Sequence, residues 1–547
     1  MAYGIALDLG TSGYRAHLVD LNRNAKIVST AITMRHPLPG ANVMDHLHFW
    51  ISNGSEIGHR IIRQTVDRLL TLLEVDFGDV ERVSVCGNPI QLSLFENIEV
   101  RDLAYAGENK LKALGVIRPS RRGHVVTAGD IGLTSLRSET EIIIPPAIRH
   151  EIGADALAMI MKSGMLERKE TCMVTDYGTN AEMGLYHDGE LYSGSAAAGP
   201  AMEGQSIEAG MLAAPQAISD LNLCEDGKWG NVVLDEYLNP TLTAKVDPLT
   251  GETQRLVGLK ARGITGTGVV SAIALGLETG FIALPNISTP SHHLKLVDGI
   301  KFLEKDVREA GKAMGAIRAG HRTLIHEVGI RDEDVKVMYM AGASGTYVDP
   351  IKAQTCGMVP RVLDRIYQLG NTSLMMAHDL IKDPESLDHM QEVADSIAAN
   401  HIMFATNKTF EQMFILEIAY WLEGMSEEMY NEMIVMQDLP PLPKLHRPYE
   451  VLRMVERDIP DVGEKGLKTL NEVGVTMNAN FPGCIGCRKC EKSCPERALK
   501  VHTDSESGGF RIVIETDKCL GTACKNCEMV CPQKVYDFHN LKVDEIV

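Results

Sequence analysis

The chain has 547 residues and a formal net charge of −19, with 44% hydrophobic and 23% charged residues. This apolar fraction is typical of a folded protein of several domains and excludes a disordered chain. The acidic balance disfavours general binding to nucleic acid or to an anionic membrane, since both favour basic patches. No apolar run is long enough to span a bilayer, and the first residues lack the basic region of a signal peptide. We therefore expect a cytoplasmic protein with no membrane and no nucleic-acid partner.

The hydrophobic pattern at the start of the chain recurs later. It predicts strands over 3–9, 14–21 and 26–34, a helix over 52–74 and a strand over 80–86. The pattern restarts near residue 171, with predicted strands over 171–176, 181–187 and 191–197. Both starts contain the motif D-x-G-T, beginning at Asp8 and at Asp176. A repeat over such a distance indicates two duplicated domains rather than a solenoid.

The two D-x-G-T motifs have the composition of phosphate-binding turns. Glycine lets the backbone approach a ligand, while successive N–H groups and hydroxyls donate to phosphate oxygens. An Asp at the end of a strand can hold Mg²⁺ or orient an attacking water. One such turn is ordinary hairpin chemistry, but two in matching strand contexts favour a nucleotide site. The residues are Asp8, Gly10, Thr11 and Ser12 in the first motif, and Asp176, Gly178, Thr179 and Asn180 in the second.

A third glycine-rich element follows the apolar stretch 337–341 and contains Gly342, Ser344 and Gly345, where the backbone could pack on adenosine. The P-loop pattern G-x-x-x-x-G-K-S/T and the Rossmann pattern G-x-G-x-x-G are both absent. The three elements together resemble the actin/Hsp70/sugar-kinase ATPase superfamily. That resemblance implies an α/β, RNase H-like duplicated body that binds ATP and Mg²⁺. It also implies that the Asp8 motif is phosphate loop one, the Asp176 motif phosphate loop two, and 342–345 the adenosine loop.

Glu203, in Ala-Gly-Pro-Ala-Met-Glu-Gly, follows the second group of strands. Its carboxylate could approach Mg²⁺ or the attacking water, and a solvated acid in a turn is an equal alternative. The segment Asp45-His46-Leu-His48 is interpreted as surface or packing residues rather than as a metal site.

Eight of the twelve cysteines lie between Cys484 and Cys531. The first run, Cys484-x2-Cys487-x2-Cys490-x3-Cys494-Pro, has the spacing of bacterial ferredoxins, and the second, Cys519-x4-Cys524-x2-Cys527-x3-Cys531-Pro, has two extra residues in its first gap. In such pairs, three thiolates of a run hold one [4Fe–4S] cluster and the fourth reaches the other cluster. This predicts cluster one on Cys484, Cys487, Cys490 and Cys531, and cluster two on Cys519, Cys524, Cys527 and Cys494. Cys519 is the least secure ligand because of its wide gap. Zinc is the alternative, but the double run is far more specific.

The composition also suggests domain boundaries. Residues 439–448 contain four prolines, which predicts an extended spacer, and 449–475 is predicted to be a short helical connector. The expected domains are therefore 1–150 and 151–438 in the ATPase body, a linker over 439–475, and a small α+β, ferredoxin-like domain over 476–547. This last domain has ten basic and ten acidic residues, so the body carries the negative charge.

An ATPase joined to two low-potential clusters points to an uphill electron transfer. The combination resembles the ATP-dependent reductive activases of corrinoid proteins, in particular the type that serves methylamine methyltransferases in methanogenic archaea. The stretches that carry the resemblance are 4–12, 86–95, 144–155, 176–182, 198–204 and the two cysteine runs.

The resemblance to these activases implies that an inactive Co(II) corrinoid returns to Co(I) with one electron and ATP, which supports methyl transfer from methylamines to coenzyme M in methanogenesis. Asp8 and Asp176 would serve Mg²⁺ and the phosphates, and the eight cysteines would relay the electron. The implied partners are the corrinoid methyl-carrier proteins of methylamine methyltransferases and an unidentified low-potential electron donor.

Three other functions stay open at this point. An activator of another low-potential metallocofactor, such as the nickel tetrapyrrole of methyl-coenzyme M reductase or a dehydratase cluster, would differ only in its acceptor. A nucleotide-gated redox sensor or scaffold would show no acceptor-stimulated ATP hydrolysis. A sugar or acid kinase would leave the clusters unexplained, and a sugar-binding signature is not apparent.

Overall fold

The computed structural model describes residues 2–40, 42–105, 108–147, 152–178, 180–204, 206–457, 459–504 and 508–543. The chain forms two compact units. The first comprises 1–158, 373–398 and 461–547, and the second comprises 159–372 and 399–460. These limits differ from the expected domain limits, because 373–398 belongs to the first unit and the proline-rich segment to the second.

The first unit is built on a seven-stranded sheet. From edge to edge its strands are Leu467–Leu470, Lys26–Thr33, Tyr14–Asp20, Tyr3–Leu9, Val80–Gly87, Glu141–Ile144 and His124–Thr127. The strand Tyr3–Leu9 pairs antiparallel with Tyr14–Asp20 and parallel with Val80–Gly87. Ile5, Leu7 and Leu9 are fully buried in it, as expected for a central strand covered on both faces. The strands predicted here are confirmed to within one residue of their ends.

The predicted helix over 52–74 is wrong in its extent. Two helices, Val43–Asn53 and Ser55–Thr71, meet at Gly54. Gly54 has a φ of +95°, which a helix cannot continue through. Other helices that lie in this unit or cross its limits are Pro89–Glu96, Arg101–Ala104, Glu108–Ala113, Ala128–Ile131, Ala154–Ser163, Thr372–Lys382 and Ser386–Ala399.

The second unit repeats the same topology in a six-stranded sheet. Its strands are, in order, Glu450–Arg453, Arg365–Gly370, Val335–Ala341, Thr171–Asp176, Ala181–His187 and Glu190–Ala196. The strand Thr171–Asp176 pairs antiparallel with Ala181–His187 and parallel with Val335–Ala341. It therefore has the same neighbours as Tyr3–Leu9 in the first sheet, which agrees with the predicted duplication.

A second sheet and a set of helices complete this unit. The sheet consists of Thr253–Arg255, Pro240–Val246, Trp229–Leu234, Ala217–Leu223 and Gly263–Ile264. Two further pairs of strands are Ile282–Ala283 with Asn286–Ile287, and His293–Lys295 with Lys301–Leu303. The helices are Gly266–Glu278, Glu304–Val328, Gly342–Tyr347, Pro350–Thr355, Lys408–Glu423 and Glu427–Val435. The long helix Glu304–Val328 packs on Lys408–Glu423, where Arg318 forms a buried, bidentate ion pair with Glu417.

The proline-rich segment contains no helix and is not a free spacer. Leu439 and Leu442 are buried, and Arg322 donates to the backbone oxygens of Pro440 and Pro441. The helical connector predicted over 449–475 is also wrong. Two strands lie there instead, Glu450–Arg453 in the six-stranded sheet and Leu467–Leu470 in the seven-stranded sheet. Each pairs with the edge of its sheet, which satisfies the backbone groups of that edge.

The cysteine-rich end of the chain forms a small α+β domain in the first unit, as predicted. Its sheet contains Leu499–Thr503, Phe510–Glu515, Thr476–Asn480 and Lys542–Val543. Two short helices, Lys489–Ser493 and Asn526–Met529, carry cysteines. No helix among the described residues has the length and apolar character needed to cross a bilayer.

Candidate nucleotide loops and iron–sulfur site

The turn expected to be phosphate loop one lies between two strands of the first unit. Tyr3–Leu9 ends beside it, and Tyr14–Asp20 begins after Gly13. A Cβ on Gly10 would lie 2.9 Å from the carbonyl oxygen of Gly13, so the turn tolerates little beyond glycine. Thr11 is half-buried and Ser12 is exposed. The hydroxyl of Ser12 is therefore accessible to a ligand.

Asp8 lies at the buried root of this loop. Its side chain is 3.7 Å from the Arg15 guanidinium, and the residue is 4% exposed. Asp155 is a second carboxylate close to Asp8. Burial, together with repulsion from the Asp8 carboxylate, raises the pKa of Asp155 to about 6. Asp155 begins the helix Ala154–Ser163 at the end of the stretch 144–155. Two carboxylates that approach each other in this way could share a cation.

Phosphate loop two and the adenosine element come together in the second unit. Asp176 and Ala341 end two neighbouring parallel strands in register. A Cβ on Gly342 would overlap the Asp176 carboxylate, and the φ of Gly342 is +76°. Only glycine fits this position without displacement. The N–H of Gly178 donates to the oxygen of Asn180 at 3.2 Å, which closes the turn.

The adenosine element is a short helix, Gly342–Tyr347, rather than a loop. Ser344 is half-buried and Gly345 is buried. The Gln368 side chain holds the helix by donating to the oxygens of Gly345, Thr346 and Val348. Thr179 and the side chain of Glu203 lie outside the described residues, and the backbone of Glu203 ends the short 3-10 helix Pro200–Glu203.

Four of the predicted ligands line one cavity, which we name the cluster-one cavity. Its cysteines are Cys484, Cys487, Cys490 and Cys531. Cys531 comes from the other run, so the fold brings the two runs together at this point. No three His, Cys, Asp or Glu side chains in the described parts of the chain are grouped tightly enough to hold a single metal ion. The four thiols instead line one shared cavity, and four thiols are the donor set that a [4Fe–4S] cluster takes.

The sulfur of Cys531 lies in a ring of backbone donors. Burial alone would raise the pKa of this thiol, but the N–H groups of Gln533, Lys534, Val535 and Tyr536 lower it below its usual value. N–H groups that converge on one atom stabilise a negative charge there. The chain therefore favours a thiolate at Cys531, which is the form that binds iron.

The other four predicted ligands also lie near one another. Burial raises the pKa of the Cys519 thiol, and Cys527 and Cys494 add to the effect by repulsion. Cys524 is affected in the same way, by burial and by Cys494. The grouping again takes three cysteines from one run and one from the other. All twelve cysteines of the chain are free of disulfides.

The loop that carries Cys519 and Cys524 packs against the first ATPase subdomain within the same unit. The N–H of Gly40 donates to the oxygen of Cys519 at 2.8 Å. The Asp45 carboxylate accepts from both the N–H and the hydroxyl of Thr522. A Cβ on Gly521 would overlap this carboxylate. Asp45 is only 2% exposed, so the contact is sealed from solvent.

Buried side chains connect this contact to the interior of the subdomain. The Gln91 side chain accepts from His36 at 2.8 Å and donates to His46 at 2.7 Å. The two rings stack with their centres 3.7 Å apart. His46 donates in turn to the oxygen of Gly40 at 3.3 Å. Burial lowers the pKa of His46 to about 4, and burial together with repulsion from His46 lowers the pKa of His36 well below its ordinary value, so both rings are neutral at pH 7.

The same glutamine connects to phosphate loop one. The N–H of Gln91 donates to the Asn88 side chain at 3.0 Å, and the Asn88 amide donates to the Thr11 hydroxyl at 3.0 Å. A chain of hydrogen bonds therefore runs from Thr11 through Asn88, Gln91 and His46 to Gly40. The next bond joins Gly40 to Cys519.

Sequence reasoning missed Asp45, Gln91 and Asp155. Asp45 was expected to be a surface or packing residue, and it does pack, but its partner is the cysteine-rich domain. Gln91 and Asp155 lie in stretches that carry the family resemblance, 86–95 and 144–155. A polar residue inside such a stretch is the signal that could have identified both.

Family models match three parts of the chain. The RACo middle region matches 3–168, the C-terminal domain of RACo, described as the ASKHA domain, matches 170–431, and a 4Fe-4S dicluster domain matches 483–535. The matches confirm the predicted fold, a duplicated ATPase body of the actin/Hsp70/sugar-kinase class followed by a ferredoxin-like domain. They support iron–sulfur clusters and nucleotide binding as its cofactor chemistry.

Named relatives extend over most of the chain. The Co(II) methylated amine-specific corrinoid protein reductase of Methanosarcina barkeri is 48% identical over 523 residues, 95% of this chain and 96% of that protein. The corrinoid activation enzyme RamQ of Eubacterium limosum is 24% identical and covers 76% of this chain and 70% of its own length. A solved structure, the reductive activator for corrinoid, iron-sulfur protein, aligns with a TM-score of 0.60 at 22% identity, covering 78% of this chain and 68% of its own; it shows the shared fold.

The Asp45 contact predicts how firmly the Cys519 loop is held. In the cluster-loaded protein, Asp45→Ala leaves the Thr522 donors without their buried acceptor, which costs about 2 kcal/mol. We expect amide hydrogens in 516–524 to exchange about 30-fold faster than in the wild type. Hydrogen exchange under argon, read by mass spectrometry, measures this.

Asp76→Ala is the matched control, because Asp76 is an acid of the same unit that accepts the N–H of Gly78 in its own turn. It should leave exchange in 516–524 unchanged. Equal exchange in Asp45→Ala and the wild type would show that Asp45 does not hold the loop.

Proposed function

The chain belongs to the family of reductive activators of corrinoid proteins, and from this premise we propose that it returns an inactive Co(II) corrinoid protein to Co(I) with one electron, in a reaction that consumes ATP. The family matches and the 48% identical relative confirm the resemblance to this family that the sequence indicated. The observation that carries the proposal is the joining of phosphate loop one to the Cys519 loop by buried hydrogen bonds inside one unit. A nucleotide-binding loop and an electron-carrying site are thus held in one packed structure.

We propose the methylated-amine class of corrinoid proteins as the substrate. The support is the 48% identity to the methylated amine-specific reductase, which extends over almost the full length of both proteins. The corrinoid methyl carriers of methylamine methyltransferases would then be the acceptors, in support of methyl transfer to coenzyme M. A low-potential protein would be the electron donor.

ATP and Mg²⁺ are the proposed ligands, and each phosphate loop has its own proposed role. In loop one, Thr11 and Ser12 would donate to phosphate oxygens, and Asp8 would hold Mg²⁺ through water. In loop two, Asp176 would do the same, and Gly342 would leave room for its carboxylate. Asp155 is a further carboxylate for the cation. Mg²⁺ would supply charge neutralisation on the phosphates.

Two [4Fe–4S] clusters are proposed, on the ligand sets Cys484, Cys487, Cys490 and Cys531, and Cys519, Cys524, Cys527 and Cys494. When bound, the clusters supply reversible one-electron transfer. The N–H groups around Cys531 stabilise its thiolate. Free thiols of this kind persist in a reducing compartment, so we propose that the protein acts in the cytoplasm.

Gln91 has the central position in the proposed coupling between phosphate loop one and the Cys519 loop. Its amide can satisfy His36 and His46 only in one orientation, because one ring donates to it and the other accepts from it. A shift of the Asn88 side chain when a phosphate reaches Thr11 would move the Gln91 backbone, to which Asn88 is bonded. The neutral histidines would pass that movement to Gly40 and to the Cys519 loop.

The activity itself is tested anaerobically. The cluster-loaded protein is mixed with a Co(II) methylamine-type corrinoid carrier, a chemical reductant and Mg-ATP, and the Co(I) absorbance band is followed. We expect the band with ATP and none without nucleotide. Asp176→Ala should lower the rate by about 10–100-fold, the usual cost of losing a group that positions a metal ion, with iron content unchanged.

Asp188→Ala is the matched control, because Asp188 is an exposed acid in a turn of the same sheet. It should keep the wild-type rate. A Co(I) band of equal rate without nucleotide would contradict the proposed activity, and full activity of Asp176→Ala would contradict only the assignment of loop two.

The cysteine assignments predict iron contents. The wild type should bind about eight iron atoms per chain, and Cys490→Ala about four. Because the two runs share ligands, Cys531→Ala should leave the same electron paramagnetic resonance spectrum as Cys490→Ala, whereas Cys494→Ala should leave the other one. Cys224→Ala, at a half-buried cysteine outside both runs, should keep all the iron. Matching spectra for Cys490→Ala and Cys494→Ala would refute the sharing of ligands.

A further inference from the structure

The cluster-one cavity opens at the surface of the cysteine-rich domain. Cys487 is exposed, whereas the other seven cysteines of the two runs are half-buried. Beside it, Ile485 lines the cavity with its side chain 57% exposed. A small apolar contact next to a redox centre is typical of the brief encounters in which proteins exchange electrons.

Four cations lie in the two segments that carry the cysteines of this cavity, and we name them the basic rim: Arg488, Lys489, Lys492 and Lys534. All four are exposed. Arg488 lines the cavity and lies 4.0 Å from Glu491, a weak exposed pair. Lys489 and Lys492 are on the helix that carries Cys490, and Lys534 follows Cys531. The side chains of these three lysines form no ion pair with any residue that the structure describes.

The basic rim contrasts with the rest of the molecule. The chain carries a net charge of −19, so its general field repels an acidic protein. A local group of cations on such a surface attracts an acidic partner to one place and in one orientation. The Cys519 loop, by contrast, is packed against Gly40 and Asp45.

We propose that the basic rim is the docking surface for an acidic one-electron carrier protein, which supplies the electron at the cluster-one cavity. The reduced carrier loses one electron and the cluster-one site gains it, with no bond or proton transferred. The electron then passes to the site at Cys519, on the side of phosphate loop one. This inference rests on the proposed electron relay and names the chemistry of the donor and its place of contact.

The test uses an acidic bacterial two-cluster ferredoxin, reduced with dithionite, as the probe. Its oxidation by the cluster-loaded chain is followed by stopped-flow absorbance at low salt. Lys489→Glu, Lys492→Glu and Lys534→Glu should each lower the second-order rate constant by about 3–10-fold. The differences should close at about 1 M salt, where the Debye length is about 3 Å. The methyl viologen radical cation, which needs no docking surface, should reduce these variants no more slowly than the wild type.

Lys500→Glu is the matched control, because Lys500 is exposed on the strand Leu499–Thr503, where its neighbour Val501 lines the cavity and Lys500 therefore faces the other side of the sheet. Its rate constant should stay within about 2-fold of the wild type, since an exposed charge on the other face of the sheet is screened from the opening. Unchanged rates in the three rim variants, or an equal loss in Lys500→Glu, would overturn the docking surface. Iron analysis separates the two proposals. A chain that binds no iron would overturn the proposed electron relay itself. An iron-loaded chain whose rate constant of reduction is the same in the rim variants and the wild type would overturn only the docking site.

Discussion

The contact between Asp45 and the Cys519 loop is the constraint on which the arrangement of the first unit depends. A buried carboxylate has a high cost unless hydrogen bonds compensate for the lost water, and here Thr522 supplies two of them. Gly521 makes the approach possible, because any side chain there would displace the carboxylate. The cysteine-rich domain is thereby fixed on the ATPase body as part of one unit. Electron delivery and nucleotide binding can then influence each other through packed structure rather than through a flexible tether.

The polar path beneath that contact favours a single conformation. His36 and His46 are neutral because they are buried and stacked, and each therefore has one donor and one acceptor nitrogen. Their partners specify which nitrogen carries the proton: the Leu38 N–H donates to Nδ1 of His36, and Gln91 donates to Nδ1 of His46. A network with every position specified favours one arrangement, so a shift at one end has to be accommodated by its other members.

Local motifs were predictable from the sequence because spacing alone determines their geometry. The two strand–turn–strand starts and the two cysteine runs are of this kind, and so is the grouping of Cys531 with Cys484, Cys487 and Cys490. Asp45 was not identifiable, because its partner Thr522 is 477 residues away. The segment 449–475 was wrongly predicted to be helical. Its two strands form by pairing with the edges of sheets built from distant parts of the chain. Long-range pairing leaves little local signal, and these errors share that cause.

The central claim is that the electron reaches cobalt through this chain only when ATP is present. The most direct measurement is a single turnover with no external reductant. The cluster-loaded protein is reduced, freed of reductant and mixed with a Co(II) methylamine-type corrinoid carrier, with and without Mg-ATP. Reduced-cluster resonance and the Co(I) band are then recorded together. The account predicts that with ATP one Co(I) appears for each electron lost from the protein, and that without ATP neither signal changes. Equal Co(I) formation without ATP, or Co(I) formation while the protein keeps its electrons, would contradict it.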